Sequence, residues 1–191
     1  EVEAVAMDMN ASYNALVSEH MPYAEIVYDR YHMQAQFGKD VLGTVRLEEA
    51  RKHRDNAMQL KEDGRAKAEI REEKRLYSEV KRARWILLAG EDGLSDDEAS
   101  SLKRILDDHA DLALCHAMKE EMARLFDIRD AEEARKGWTA WFDGAKASGI
   151  PALVRFAELK EKRIDGLIAH ASHPISTGKL EGFNNRIKVA K

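Results

Sequence analysis

The stretch Val2-Glu3-Ala4-Val5-Ala6-Met7-Asp8, with its counterpart Ala24-Glu25-Ile26-Val27-Tyr28-Asp29, decides the fold. Each is a short apolar run closed at once by an aspartate, the pattern of a buried strand that ends in a turn. Between them Ala11 to Glu19 has helical spacing, with Tyr13, Leu16 and Val17 apolar, and Pro22 breaks the chain before the second run. Strand, helix and strand in this compass predict a right-handed crossover with parallel strands. Open sheets of that kind collect their chemistry at the carboxyl ends of the strands, where Asp8 and Asp29 stand. An aspartate after a strand is also a common helix cap or turn former, so position alone leaves both readings open.

The other end of the chain carries an unusual mixture. Ser176-Thr177-Gly178-Lys179-Leu180-Glu181-Gly182-Phe183-Asn184-Asn185-Arg186-Ile187-Lys188 places one carboxylate among amides and cations. On an α-helix Glu181, Asn185 and Lys188, spaced by four and then three residues, project from one face. A carboxylate beside cations suits a divalent metal held next to a phosphate chain, and it equally suits a solvated helix end. From Ser176 onward Lys179, Arg186, Lys188 and Lys191 face a single acid, Glu181. Phosphate contacts depend on such local cations, whereas the overall charge of −4 argues against binding nucleic acid by bulk attraction.

Three blocks in order carry a resemblance: Val5-Ala6-Met7-Asp8-Met9, then Pro22-Tyr23-Ala24-Glu25-Ile26-Val27-Tyr28-Asp29-Arg30-Tyr31-His32, then Glu181-Gly182-Phe183-Asn184-Asn185-Arg186-Ile187-Lys188. Together they resemble the DDE transposases of bacterial insertion sequences, of the ISL-three type. Arg84-Trp85-Ile86-Leu87-Leu88, Trp138-Thr139-Ala140-Trp141 and Ser148-Gly149-Ile150-Pro151 are similar to the helical region of that family, so the resemblance covers most of the chain. Asn10 stands where the family commonly has Ser, Tyr31 where it has Phe, and Thr177 where Asn is frequent.

The resemblance implies a partial RNase H-like α/β core carrying a large all-helical insertion, in which three acids bind two Mg²⁺ or Mn²⁺ ions and drive DNA strand cleavage and transfer. Carried over by position, Asp8 is the second catalytic, metal-binding acid and Glu181 the third. Asp29 and His32 form an Asp-x-x-His motif that supports the site, while Asn185, Arg186 and Lys188 contact the DNA backbone. The implied partners are double-stranded DNA, at element ends and target, and further copies of the chain in a homo-oligomer. The first acid belongs to a strand upstream of residue 1, so this polypeptide is expected to be an inactive fragment of an active enzyme. Two readings compete: a non-catalytic helical module that binds DNA or protein, and an RNase H-like nuclease using the same acids.

The chain of 191 residues with 44% hydrophobic residues has material for a core. It has no apolar stretch near the roughly 20 residues that span a bilayer. One cysteine, Cys115, cannot pair internally, which fits a reducing cytoplasm. The expected organisation is residues 1–33 as the strand unit, 34–174 as the helical insertion, and 175–191 as the final core helix. The fold class is therefore mainly α with a small parallel β element.

Within the insertion, Phe37, Val41, Val45 and Leu47 open an apolar pattern. Arg51 to Arg75 alternates in charge and reads as a solvated helical arm with a break at Gly64. Ser95-Asp96-Asp97-Glu98 has capping-box spacing, Asp130 to Glu133 starts another helix, and Pro151 opens the next. Trp138 and Trp141 read as core. His109, Cys115 and His116 are close in sequence but do not share a helix face, which argues against a metal cluster.

Overall fold

A computed structural model describes residues 2–90 and 93–175. The first apolar run forms β1 (Ala4–Met7) and the second β2 (Glu25–Tyr28). They pair in parallel with Ala4 opposite Glu25 and Met7 opposite Tyr28, so Asp8 and Asp29 leave the same end of the sheet side by side. Between the strands runs α1 (Ala11–His20), started by the Asn10 side chain, whose Oδ1 accepts from the Ser12 N–H at 2.9 Å. Of its predicted apolar residues only Val17 is partly buried. Tyr13 and Leu16 are about half exposed at 54% and 51%, and the helix buries no residue. A two-stranded sheet offers too narrow a surface to cover a helix of this length.

Among the described residues nine further α-helices follow: α2 (Arg30–Phe37), α3 (Gly43–Glu62), α4 (Lys67–Arg82), α5 (Arg84–Leu88), α6 (Asp96–Asp108), α7 (Ala110–Leu125), α8 (Ala131–Ala147), α9 (Pro151–Glu161) and α10 (Ile164–Ser172). A π-helical turn, Gly38–Leu42, joins α2 to α3. The N–H of Gly43 donates to the carbonyl of Gly38, the five-residue reach of a π turn. A Cβ at Gly38 would meet Leu88 at 2.5 Å, which explains the absence of a side chain there.

Two compact units emerge, and neither is continuous in sequence. The first contains the chain up to Gln36, then Glu121–Gly149, then Val154 onward. Its core is aromatic: Phe126 lies edge-on to Trp138 at 5.1 Å, Trp138 neighbours Phe142 at 5.9 Å, and Trp141 meets Phe156 at 6.4 Å. Trp138 and Trp141 are thus core residues, as their spacing predicts. α10 packs on β2, where Gly166 lets the helix backbone approach the Tyr28 ring and the Ile26 carbonyl.

The second unit comprises Phe37–Glu120 with Ile150–Leu153, around Phe37, Val41, Val45, Val80, Leu87, Ile105 and Leu112. Leu47, two residues off that stripe, stays 36% exposed. α3 and α4 form an antiparallel pair turned at Gly64, whose φ of +67° is one that glycine adopts readily. α6 opens with the reciprocal capping box expected from sequence: the Glu98 N–H donates to Ser95 Oγ, and the Ser95 N–H donates to Glu98 Oε2 at 3.0 Å. Buried Lys119 closes α5, its ammonium donating to the carbonyls of Leu87 and Ala89 at 3.0 and 2.7 Å. Its charge is answered by Glu120 at 2.8 Å.

Candidate functional site

The site is built from two turns that leave one end of the sheet. Asp29, 1% exposed, follows β2 and begins α2. Its Oδ1 accepts from the N–H groups of Tyr31 at 2.7 Å and His32 at 3.4 Å, and its carbonyl accepts from the Met33 N–H. The aspartate therefore acts as the cap of α2 and fixes the helix's first turn. His32 lies in that turn. Its Nε2 reaches Asp8 Oδ1 at 2.8 Å, with side chains 26% and 44% exposed.

The three residues singled out near the N-terminus thus meet through a short chain: Asp29 positions His32, and His32 holds Asp8. The spacing Asp29-x-x-His32 places both groups at the start of one helix, and the parallel register brings Asp8 within reach. The remaining sequence-predicted site residues, Glu181, Asn185, Arg186 and Lys188, lie outside the described residues.

Other groups in this unit were not visible from sequence spacing. Arg163, just before α10, donates a guanidinium hydrogen bond to the carbonyl of Met9, and so braces the turn that carries Asp8. Arg30 pairs with Asp127 at 2.6 Å. His170, buried in α10 edge-on to Phe126 at 5.2 Å, is held below the usual histidine range. Burial is the largest cause, followed by Arg129 and Arg30, with Asp29 and Asp127 opposing. Nothing in the linear order of these residues, separated by up to 154 positions, signals the contacts.

The donors suit a hard divalent cation in part. Asp8 is a partly exposed carboxylate at a strand end, and one of its oxygens is already oriented by an imidazole, the outer-shell arrangement that fixes metal-binding carboxylates. Buried Asp29 has its Oδ1 committed to backbone N–H groups and serves as support. No group of three or more His, Cys, Asp or Glu side chains converges among the described residues. An open groove of about 720 Å³ in the same unit is lined by Asn14, Ile26, Tyr28, Arg135, Lys162 and Arg163, and contains neither Asp8 nor His32.

No described helix is long and apolar enough to cross a membrane. Over residues 1–191 the chain matches the family model of ISL3-type DDE enzymes, described as transposase. It is 35% identical over 190 residues to the transposase for insertion sequence element IS1001 of Bordetella parapertussis. That alignment covers all of this chain and 43% of the relative, so the chain spans less than half of that protein's length. No solved structure matches.

Proposed function

The chain belongs to the ISL3 family of insertion-sequence transposases, and on that premise we propose that it is the part of an RNase H-like catalytic domain that supplies two of three metal-binding acids. The observation that carries the reading is the 2.8 Å contact between His32 Nε2 and Asp8 Oδ1, made at the carboxyl end of paired parallel strands. That is where open α/β sheets place their chemistry.

In this proposal Asp8 offers its outer oxygen to a divalent ion, and His32 keeps the carboxylate turned toward it. Asp29 holds His32 by capping α2, and Arg163 steadies the turn at Met9. Glu181 completes the pair of acids, while Asn185, Arg186 and Lys188 contact backbone phosphates without reading bases. Bound Mg²⁺ or Mn²⁺ supplies activation of the attacking oxygen and stabilisation of the leaving one. The substrate is double-stranded DNA at the element's ends and at the target, cut and joined by the intact protein acting as an oligomer in the cytoplasm. In the same reading residues 1–33 are the sheet part of the domain, 34–174 the insertion and 175–191 the segment that brings the last acid.

The test is Mn²⁺ binding to this chain followed by electron paramagnetic resonance, beside strand-transfer assays of the intact transposase. Asp8→Asn and Glu181→Gln are each expected to weaken Mn²⁺ binding and to abolish joining. Unchanged binding and joining in Asp8→Asn would overturn the assignment.

A further inference from the structure

Residues 67–82 read along the chain as alternating charge, but the helix sorts them. At about 100° per residue, Lys67, Arg71, Lys74, Arg75, Lys81 and Arg82 fall within one arc of α4 of roughly 120°. Glu69, Glu72, Glu73 and Glu79 fall within the opposite part. The inward direction is fixed independently. Val80 is fully buried, and Glu73 reaches His53 of α3 at 2.7 Å. All six cations are exposed.

These charges are only partly neutralised. Arg75 is bridged to Glu72 and Glu79 at 2.7 and 2.6 Å, and Lys81 donates to the Tyr77 hydroxyl. Lys67, Arg71, Lys74 and Arg82 make no ion pair among the described residues. The solvated arm thus carries, along α4, a one-sided basic stripe about 22 Å long at 1.5 Å rise per residue. Just past its end Trp85 is 71% exposed, with the Arg84 guanidinium 4.9 Å from its ring centroid. A large aromatic left on the surface under a cation, in line with four unpaired basic side chains, marks a contact face.

We propose that the outer face of α4, through Lys67, Arg71, Lys74 and Arg82 with Trp85 at its end, docks the sugar-phosphate backbone of duplex DNA. The inference rests on the transposase reading and gives part of the helical insertion a role. Charge complementarity selects the occupant: a duplex presents a phosphate about every 3.4 Å along each strand, so the stripe parallels roughly six base pairs. It reads no sequence, because unpaired Lys and Arg side chains on phosphates carry no base information.

The experiment is fluorescence anisotropy of this chain with two 20-base-pair duplexes of unrelated sequence, in EDTA, from 50 to 200 mM salt. The variants are Lys67→Glu/Arg71→Glu/Lys74→Glu and the neutral Lys67→Gln/Arg71→Gln/Lys74→Gln. A control of equal charge change elsewhere is Lys103→Glu/Arg124→Glu/Lys136→Glu. Circular dichroism and Tm confirm that each is folded, and the glutamine triple keeps the test alive if the glutamate one is not.

The stripe variants are expected to bind both duplexes at least ~10-fold more weakly at 50 mM salt, with the salt slope reduced by about 2 to 3. The control is expected to lose far less. Unchanged affinity and slope, an equal loss in the control, or no duplex binding by the parent chain would each overturn the proposal, the last in favour of an acidic protein surface as the occupant. Asp8→Asn in the same series, read by Mn²⁺ binding, reports on the catalytic reading alone, so either idea can fail without the other.

Discussion

His32 Nε2 lies 2.8 Å from Asp8 Oδ1, so the first turn of α2 grips the turn that follows β1. Both side chains remain partly exposed, 26% and 44%, and an ion pair in such a setting contributes about 1 kcal/mol or less. His32→Gln is therefore expected to cost less than about 1 kcal/mol in urea unfolding. If His32 orients a metal-binding carboxylate, the same substitution lowers Mn²⁺ affinity or strand transfer by ~10- to 100-fold, the usual range for outer-shell partners. A stability loss with no change in metal affinity or joining would reduce the pair to a structural clasp.

Gly166→Ala tests the seat of α10 on the sheet. Alanine favours a helix interior by about 1 kcal/mol over glycine. Its Cβ, however, would sit 2.4 Å from the Tyr28 ring and 3.1 Å from the Ile26 carbonyl oxygen, which belongs to β2 itself. Overpacking of this kind costs about 1 to 3 kcal/mol. A net loss is expected, visible as a fall in Tm of a few degrees at ~2 to 4 °C per kcal/mol. A rise in Tm would show that the helix and strand separate readily.

His170 predicts a pH dependence. Burial, with Arg129 and Arg30 adding, holds its imidazole below the usual range. The unfolded chain therefore takes up this proton first, near a pH of about 6.5. Stability from this group is fully present above that pH and is lost as the pH falls toward the depressed folded value. His170→Gln should flatten the profile in the window just below about pH 6.5 by up to ~1.4 kcal/mol per pH unit. Parallel unfolding curves for variant and parent across that window would refute it.

Cys115 is fully buried, and its thiol is pushed up to about 12, chiefly by burial and further by Asp111 and Glu48. The thiolate is the reactive species, so the native protein should resist thiol reagents at pH 8 and release one equivalent only when unfolded. Rapid native labelling would mean that α7 opens locally.

Much of the strand unit was legible because each signal is local. Apolar runs closed by Asp8 and Asp29, the break at Pro22 and the capping residues Ser95 and Asp130 each act within a few positions. The Asp29-x-x-His32 spacing even places two candidate site groups in one helical turn. What escaped the linear reading depends on three dimensions. The signs along α4 alternate in sequence and segregate only when wound at 3.6 residues per turn. Tyr13 and Leu16 have the spacing of a buried face, yet exposure is decided by what lies opposite. Arg163 on Met9 and Lys119 on Ala89 are single long side chains meeting distant carbonyls, and no periodicity announces such contacts.

The turn between α3 and α4 has a practical consequence. Gly64 has nothing within 4 Å of where a side chain would stand, and its neighbours Asp63 and Arg65 are exposed. With Cys115 shielded, a cysteine placed at Arg65 would be the one readily accessible thiol of the chain. A fluorophore attached there would sit two residues before Lys67, where α4 begins. Its emission would sense an approaching duplex at that end of the hairpin with Lys67, Arg71, Lys74 and Arg82 left in place, the substitution removing only the Arg65 cation and its pair with Glu69.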